Sequence, residues 1–374
     1  FEEAGGTERL AVDMARALRE LGHEVDLYTT YLDERAWPLI AGPGDPKPKL
    51  IRPGITASLL RRLGGGRLAR LRRIMAAAAA ARALAALGGY DIYIDTQSNV
   101  PLLDASYIHY PAVLDYLAGD GAGVGPARRL YDWLVVREAR RVAGRPLLVL
   151  ANSAWTANRV RQAYGLEARV LHPPVDVARL LSLGGRKENV VLTVSRFTPE
   201  KNLEAVVRVA SKVPEAEFYI VGSTSRYSGP VVRRLREVAD ALRASNVRFM
   251  FDVPRWKLEE LYSIAKVYLH PPFPEHFGIA IVEGAAAGAV PVVYRDGGAW
   301  TDIASRIDPS LGYRTVEEAA SIVRSLLEDG DRRAALLARA REAAKRFSYE
   351  SFRAGLAEVV GELARMKGYQ KAWT

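Results

Sequence analysis

HPPFPEHFGIAIVEGAAAGAVPVVYRDGGAWTD, residues 270–302, decides how this chain is read. It begins where an apolar strand ends, VYLHPP (267–272). It turns through Pro271, Pro272 and Pro274 and presents Glu275 and His276. A helix starting near Gly278 then carries Glu283 and a small-residue run, Gly284 to Gly288. The strand VPVVY (290–294) follows, and a loop holding Gly297 and Gly298 closes the unit. Strand, turn, helix and strand in this order gather polar groups where the helix begins. The first N–H groups of a helix have no partner inside it, and the helix dipole adds partial positive charge there, so anions are attracted. Small residues let the helix lie close to a sheet or let a ligand reach its backbone.

Working outward, the strand–helix alternation recurs along most of the 374 residues. Thr7 to Leu21 places Leu10, Ala11, Met14, Ala15 and Leu18 at helical spacing, and Gly22 ends it. Strands are expected at 24–30 (EVDLYTT), 90–96, 105–111 and 147–153, the last leading into a helix from about Ala154. A helix is expected over 127–142 after a glycine-rich loop at 118–126. A further strand at 168–176 ends in PPVD, and the pattern then restarts. Strands at 189–196, 217–223 and 246–252 alternate with helices at 203–213, 231–245 and 253–265, and three helices end the chain.

Repeated alternation of this kind implies parallel sheets with helices on both faces. The fold class is α/β: two Rossmann-like domains facing each other across a cleft, with ligands at the carboxyl ends of the strands. The expected division is 1–176 for the first domain, completed by a C-terminal helix at 348–374, and 177–347 for the second. Residues 1–6 read as the loop after a strand, so a further strand is expected ahead of Phe1.

Composition narrows the function. Apolar residues make up 49% and charged residues 26%, as in ordinary soluble globular proteins. The absence of cysteine excludes disulfides, thiolate metal sites and a cysteine nucleophile, and five histidines give little material for a His-rich metal centre. A formal charge of +10 suits an anionic partner, phosphate or a membrane surface, and equally suits a merely basic exterior. Residues 74–87 are too short and too alanine-rich for a membrane span, and Arg82 interrupts them. The segment 59–73 interleaves Arg61, Arg62, Arg67, Arg70, Arg72 and Arg73 with leucine. It reads either as contact with an anionic leaflet, at ~1 kcal/mol per cation near the surface, or as a solvated helix face.

An ordered set of short motifs spans nearly the whole chain: GGTER (5–9), IHYP (108–111), ANSAWT (151–156), PPVD (173–176), SRFTPEKN (195–202), YIVGS (219–223), EHFGIAIVE (275–283) and FSYESF (347–352). In order and spacing they resemble glycosyltransferase family 4, which has the GT-B fold. The IHYP, NSAWT, RFTPEKN and EHFGI spellings are most similar to the GDP-mannose-dependent α-1,2-mannosyltransferases of dolichol-linked oligosaccharide synthesis. The resemblance implies a retaining transfer of mannose from a nucleotide donor, GDP-mannose, to a glycan acceptor carried on a lipid. It implies no metal, no other cofactor and no nucleic-acid partner, and a location on the cytoplasmic side with peripheral membrane contact. UDP- or ADP-sugar donors, or epimerisation of a nucleotide sugar on the same fold, are the alternatives; a non-catalytic basic module is the least supported.

The resemblance also distributes roles. Glu275 and Glu283 form its acid pair, Glu275 toward the donor sugar and Glu283 toward the ribose. Carboxylates accept paired hydrogen bonds from vicinal diols; on spacing alone the better reading is a surface acid and a helix-face acid in a salt bridge. Arg196, at a strand end, and Lys201, before the next helix, are placed to meet a diphosphate whose charge grows as it leaves; without the match they are loop cations. The N–H groups of Phe277, Gly278 and Ile279 are expected to hold donor oxygens, with His276 orienting the turn. Gly5 and Gly6 allow close approach to phosphate, or simply a tight turn; GG is not the G-x-G-x-x-G of nicotinamide sites. Gly222 and Val253 fall in loops assigned to the nucleobase. His109 faces the reacting sugar by resemblance and is equally a structural histidine by residue type. Ser153 reads as a helix cap, and the Asp329–Asp331 triplet, lying between helices, carries no metal assignment. His23, His172 and His270 have no assigned role.

Overall fold

The structure is a computed structural model, and it describes residues 5–34, 37–51, 69–111, 113–117, 126–224 and 228–369. The chain divides into two compact units, Phe1–Pro173 with Phe352–Thr374, and Pro174–Ser351.

In the first unit, the helix Gly6–Glu20 buries Leu10, Ala11, Met14 and Ala15 of the expected stripe and also Val12, Asp13 and Ala17, while Leu18 is half-buried. Gly22 follows at φ +91°, a conformation that stops a helix cheaply only in glycine. The expected strand over 24–30 shortens to β1, Tyr28–Thr29. Its partner is β2, Lys49–Leu50, which sequence patterning does not reveal. The expected strand over 90–96 likewise shrinks to β3, Ile94–Asp95. Asp95 bends the chain directly after it by accepting hydrogen bonds from the Gln97 and Ser98 amides. β3, β4 (Ala105–Ile108), β5 (Leu148–Ala151) and β6 (Arg169–Val170) form a parallel sheet in that order. β4 is buried at every position, so it reads as an unbroken run instead of an alternation. Ser106 is tolerated inside it because its Oγ accepts from the Leu102 amide at 2.7 Å.

The last helix, Tyr349–Met366, leaves the second unit and docks on the first through Leu356, Val359, Val360 and Leu363. Charged side chains fix its register. Arg169 reaches Glu358 and Glu362, Arg353 reaches Glu20 at 3.1 Å, and Lys367 donates to Asp104 at 2.7 Å.

The second unit is built on one six-stranded parallel sheet: β7 (Glu188–Val194), β8 (Glu217–Gly222), β9 (Val247–Phe251), β10 (Ala265–Leu269), β11 (Val290–Tyr294) and β12 (Gly312–Tyr313). Its order is β12-β11-β10-β7-β8-β9. The chain therefore winds one way from β7 to β9 and the other way from β10 to β12. Between the carboxyl ends of β7 and β10 lies a topological switch point, where such sheets bind ligands. Two side-chain bonds tie these ends together: Thr193 Oγ1 donates to the Leu269 carbonyl at 2.7 Å, and Tyr268 Oη to the Val194 carbonyl at 3.1 Å. The helix Ile279–Ala287 presses on β10 so closely that a Cβ on Gly284 would stand 2.8 Å from the Tyr268 ring. The glycine loop expected after β11 is present, with Gly297 at φ +89°, and it leads directly into a wide helical turn, Ala299–Ala304.

These packings make opposite predictions for two glycine-to-alanine changes. Gly361 lies inside the last helix, and a Cβ added there would meet nothing within 4 Å, so Gly361→Ala should raise stability by about 0.5–1 kcal/mol. Gly284→Ala should lower it by about 1–3 kcal/mol through overpacking against Tyr268. Urea denaturation midpoints of the two variants read both signs.

Candidate functional site

The switch point of the second unit gathers Lys201, His270, Phe273, Glu275 and His276. β7 ends at Val194, and the turn that follows forms a short helical turn at Pro199–Lys201. Asn202, at φ +46°, redirects the chain into the helix Leu203–Ser211. This delivers the Lys201 ammonium to Glu275: Nζ lies 2.8 Å from Oε2, with side chains 13% and 24% exposed. The same ammonium stands 4.4 Å from the centre of the Phe273 ring, a cation–π contact that also screens it from water. His270, buried at the end of β10, sets its Nε2 3.6 Å from the same carboxylate oxygen. The other oxygen, Oε1, accepts from the His276 amide at 3.2 Å.

Burial alone pushes the Glu275 carboxyl upward in pKa. The interaction with His270 and the charge of Lys201 outweigh it and hold the group well below the ordinary carboxylate range. Glu275 is therefore an anion at every working pH, an acceptor that cannot donate.

The backbone of the turn is fixed by close approach. Glu275 bridges to Gly297 in strand fashion, and the Ala299 amide donates to the Glu275 carbonyl at 3.3 Å. A Cβ on Gly297 would lie 2.4 Å from that carbonyl, and its φ of +89° also excludes most residues. Gly278, at φ +103°, is the cap residue and not the first helical one; the helix starts at Ile279. Ile279 is thus the first residue whose amide opens the helix. Its side chain and that of Phe277 pack inward, with Phe277 3% exposed and edge-on to Phe347 at 5.2 Å. For Phe277, only the backbone can take the role expected of it.

Glu283, one helical turn further in, is gripped from two sides. Arg255 donates to Oε1 at 2.7 Å and Tyr262 Oη to Oε2 at 3.0 Å. The arrangement is the helix-face acid in a salt bridge that spacing alone favours, in place of the open diol acceptor that the resemblance implies. Arg255 also donates to Glu259 at 2.9 Å, and Glu259 accepts from Arg179 at 2.9 Å, so four charged side chains run in a row. Nothing in the sequence pattern singles out Arg255, Tyr262 or His270: Arg255 and Tyr262 reach Glu283 from the helix Arg255–Ile264, and His270 reaches Glu275 from the end of β10.

The remaining expected residues have these positions. Arg196 is exposed directly after β7, and among the described residues no side chain forms a hydrogen bond or ion pair with its guanidinium. Gly222 ends β8 under the Ser195 carbonyl, to which a Cβ would approach within 1.7 Å; its need for glycine comes from backbone packing. Val253 is half-buried between β9 and the helix Arg255–Ile264 and packs on the core. In the first unit, His109 follows β4, with its ring Nε2 3.0 Å from the Thr96 carbonyl and its amide donating to Asn99 at 2.7 Å. Gly5 precedes the helix that Gly6 begins, without a side-chain cap. Ser153 caps the helix Ala154–Tyr164 by accepting from Thr156, and Asp329 caps Gly330–Lys345 by accepting from Arg332. Residues 59–68 of the basic segment and 118–125 of the glycine-rich loop lie outside the described residues. Among the described residues, no helix is long and apolar enough to cross a membrane, and no three acidic or histidine side chains cluster as metal ligands do.

A family model described as Glycosyltransferase Family 4 matches residues 4–179, and one described as Glycosyl transferases group 1 matches residues 183–345. The chain thus carries these two glycosyltransferase domains, one in each half. Three curated relatives are named GDP-Man:Man(3)GlcNAc(2)-PP-Dol alpha-1,2-mannosyltransferase. The one from Dictyostelium discoideum is 30% identical over 55% of the chain, that from Neurospora crassa 28% over 75%, and that from Homo sapiens 25% over 70%. The matches span 45%, 62% and 63% of those relatives' own lengths. Among solved structures, WaaG, a glycosyltransferase involved in lipopolysaccharide biosynthesis, superposes with a TM-score of 0.70 at 18% identity, covering 96% of this chain and 97% of that one. Anabaena HepE in complex with UDP gives 0.68 at 18%, with the same coverage. These likenesses establish the GT-B fold, with two Rossmann-like domains.

The Lys201–Glu275 pair gives a stability prediction. Lys201→Met strands a largely buried carboxylate and should cost about 1–3 kcal/mol, less than a fully buried pair because Glu275 keeps some water. Adding Glu275→Gln should recover part of the loss. Because the folded pKa of Glu275 is depressed, its contribution is present above the unfolded carboxylate range and fades on acidification. The Lys201→Met deficit should therefore be largest at neutral pH and shrink below pH ~4, as read by urea melts across that range.

Proposed function

We propose that this chain is a retaining α-mannosyltransferase that moves mannose from GDP-mannose to a lipid-linked glycan. The observation that carries the reading is the Lys201–Glu275 pair at the switch point of the C-terminal sheet. It sets an obligate hydrogen-bond acceptor and a cation side by side, as a glycosyl diphosphate requires: hydroxyls on one part, phosphate charge on the other. The choice of mannose and guanine is supported by the names of the curated relatives.

In this reading Glu275 accepts hydrogen bonds from the hydroxyls of the donor sugar. Lys201 and the exposed Arg196 meet the diphosphate. The amides opening the helix at Ile279 add partial positive charge toward the same phosphate. Glu283 accepts from the ribose, and the loops at Gly222 and Val253 line the base. The bond from the anomeric carbon to the phosphate oxygen breaks, and a bond from that carbon to the acceptor oxygen forms on the same face. The acceptor proton passes to the departing phosphate. The negative charge that grows on the diphosphate is stabilised by Arg196 and Lys201 more in the transition state than before it. Gly5 and Gly6 allow close approach to the donor phosphates, and His109 serves the reacting sugar. No metal or other cofactor is invoked, since the two cations supply the charge. The acceptor lipid would lie in a cytoplasmic leaflet, held partly by the basic segment 59–73.

GDP should raise the melting temperature more than UDP or ADP at equal concentration, with ~2.7 kcal/mol of stabilisation at a hundred times Kd. A larger shift with UDP would overturn the donor assignment. Lys201→Ala and Glu275→Gln should each lower kcat by about 10²–10³, in an assay following GDP release with a lipid-linked mannose acceptor. Retention of activity by Glu275→Gln would remove it from the site.

A further inference from the structure

The Glu283 carboxylate is not presented to solvent as a free acceptor. Its Oε1 is held by Arg255 at 2.7 Å and its Oε2 by Tyr262 at 3.0 Å, and its side chain is 13% exposed. Each carboxylate oxygen has two acceptor directions, so one remains on each after these bonds. Arg255 is itself anchored. Its Nε donates to Glu259, which is 8% exposed and also binds Arg179. The planar guanidinium fork gives one N–H to each of two carboxylates, Nε to Glu259 and Nη1 to Glu283, a span that the point charge of lysine does not reproduce. Tyr262 is fully buried and donates from a rigid ring, which fixes the second oxygen. The helix Ile279–Ala287 carries Glu283 on its face, while Arg255 and Tyr262 come from the helix Arg255–Ile264 after β9. Two elements thus fix one carboxylate in one orientation.

We infer that Arg255, with Tyr262, is a positioning residue that orients Glu283 to take the two vicinal hydroxyls of the donor ribose. The inference rests on the proposed assignment of Glu283 to the ribose and goes beyond it by naming what holds that acid. Without the fork, the carboxylate loses its fixed orientation. That weakens a pair of bonds that need both oxygens aligned. The effect falls on donor affinity and on discrimination for the ribose hydroxyls, because Glu283 and the Lys201–Glu275 pair assigned to the sugar and phosphate are held by different partners.

The test measures Kd by calorimetry for a nucleoside diphosphate and its 2′,3′-dideoxy analogue, using whichever base the wild-type chain binds tightest. Folding of each variant is checked by circular dichroism. Wild type should prefer the ribose form by about tenfold or more, the range of hydrogen bonds to a charged group. Arg255→Met should bind both forms equally, at the affinity of the dideoxy form. Tyr262→Phe, a smaller change that keeps the buried ring, should lose part of the preference. Arg255→Lys should recover less than half of it on a logarithmic scale. Turnover should show a raised KM for the donor with kcat within about twofold. A purely structural Arg255 would lower the melting temperature and leave the ribose preference intact; that result in Arg255→Met, or in Tyr262→Phe if the first variant does not fold, overturns the inference. A wild-type chain indifferent to the ribose hydroxyls overturns it together with the assignment of Glu283. A preference for uracil over guanine overturns only the donor, since the ribose comparison is then made with UDP.

Discussion

A carboxylate must stay ionised in a place where burial opposes its charge, and much of the second unit is arranged around that constraint. Glu275 is held as an anion because Lys201 and His270 converge on one of its oxygens and the His276 amide on the other. Lys201 arrives from the turn after β7, and His270 from the end of β10. These two strands are paired in the sheet although their carboxyl ends, Val194 and Leu269, lie far apart in sequence. The parallel sheet makes them adjacent, and its reversal of winding leaves open the crevice where their loops meet. Even the glycine loop is subordinate to this acid, since a side chain at Gly297 would strike the Glu275 carbonyl.

A second acid, Glu283, is held by different groups. It has Arg255 and a tyrosine hydroxyl in place of lysine and histidine. The two arrangements have different mechanical consequences. Lysine on a flexible stem, steadied by the Phe273 ring, can move toward an incoming phosphate while Glu275 keeps its histidine contact. Arginine held between Glu259 and Glu283 is fixed at both ends and better suited to aim than to travel. The chemistry proposed for the two acids follows this difference: one neighbours charge that changes during reaction, the other a ribose that does not react.

The first unit obeys the same rules of assembly with shorter strands. Its sheet is completed in packing terms by a helix from the far end of the chain, held by Arg169, Arg353 and Lys367 to acids and by a continuous apolar stripe. An amphipathic helix whose apolar face has no home in its own neighbourhood must find one elsewhere, and here the burial lies on the first unit.

Much of the fold could be read directly from the residues. Apolar runs such as NVVLTV and VYL, alternating with stretches of helical period, determine parallel strands between helices, because a doubly covered sheet requires unbroken apolarity. The small-residue run from Gly284 marks by residue type a helix that can lie close to the sheet, and it does so against Tyr268. Strand lengths were less legible: 24–30 and 90–96 look extended by composition, but Asp95 turns the chain and the ladder ends after two residues. The partners of the acids were not legible at all. Nothing in the spelling of Arg255 or His270 distinguishes them from a surface arginine or a strand-end histidine. Local sequence determines which residues can be extended, helical or tightly turned, because those preferences act over a few bonds. Which side chain neutralises Glu275, and which one grips Glu283, depends on contacts between segments far apart in the chain, and only the tertiary structure decides those.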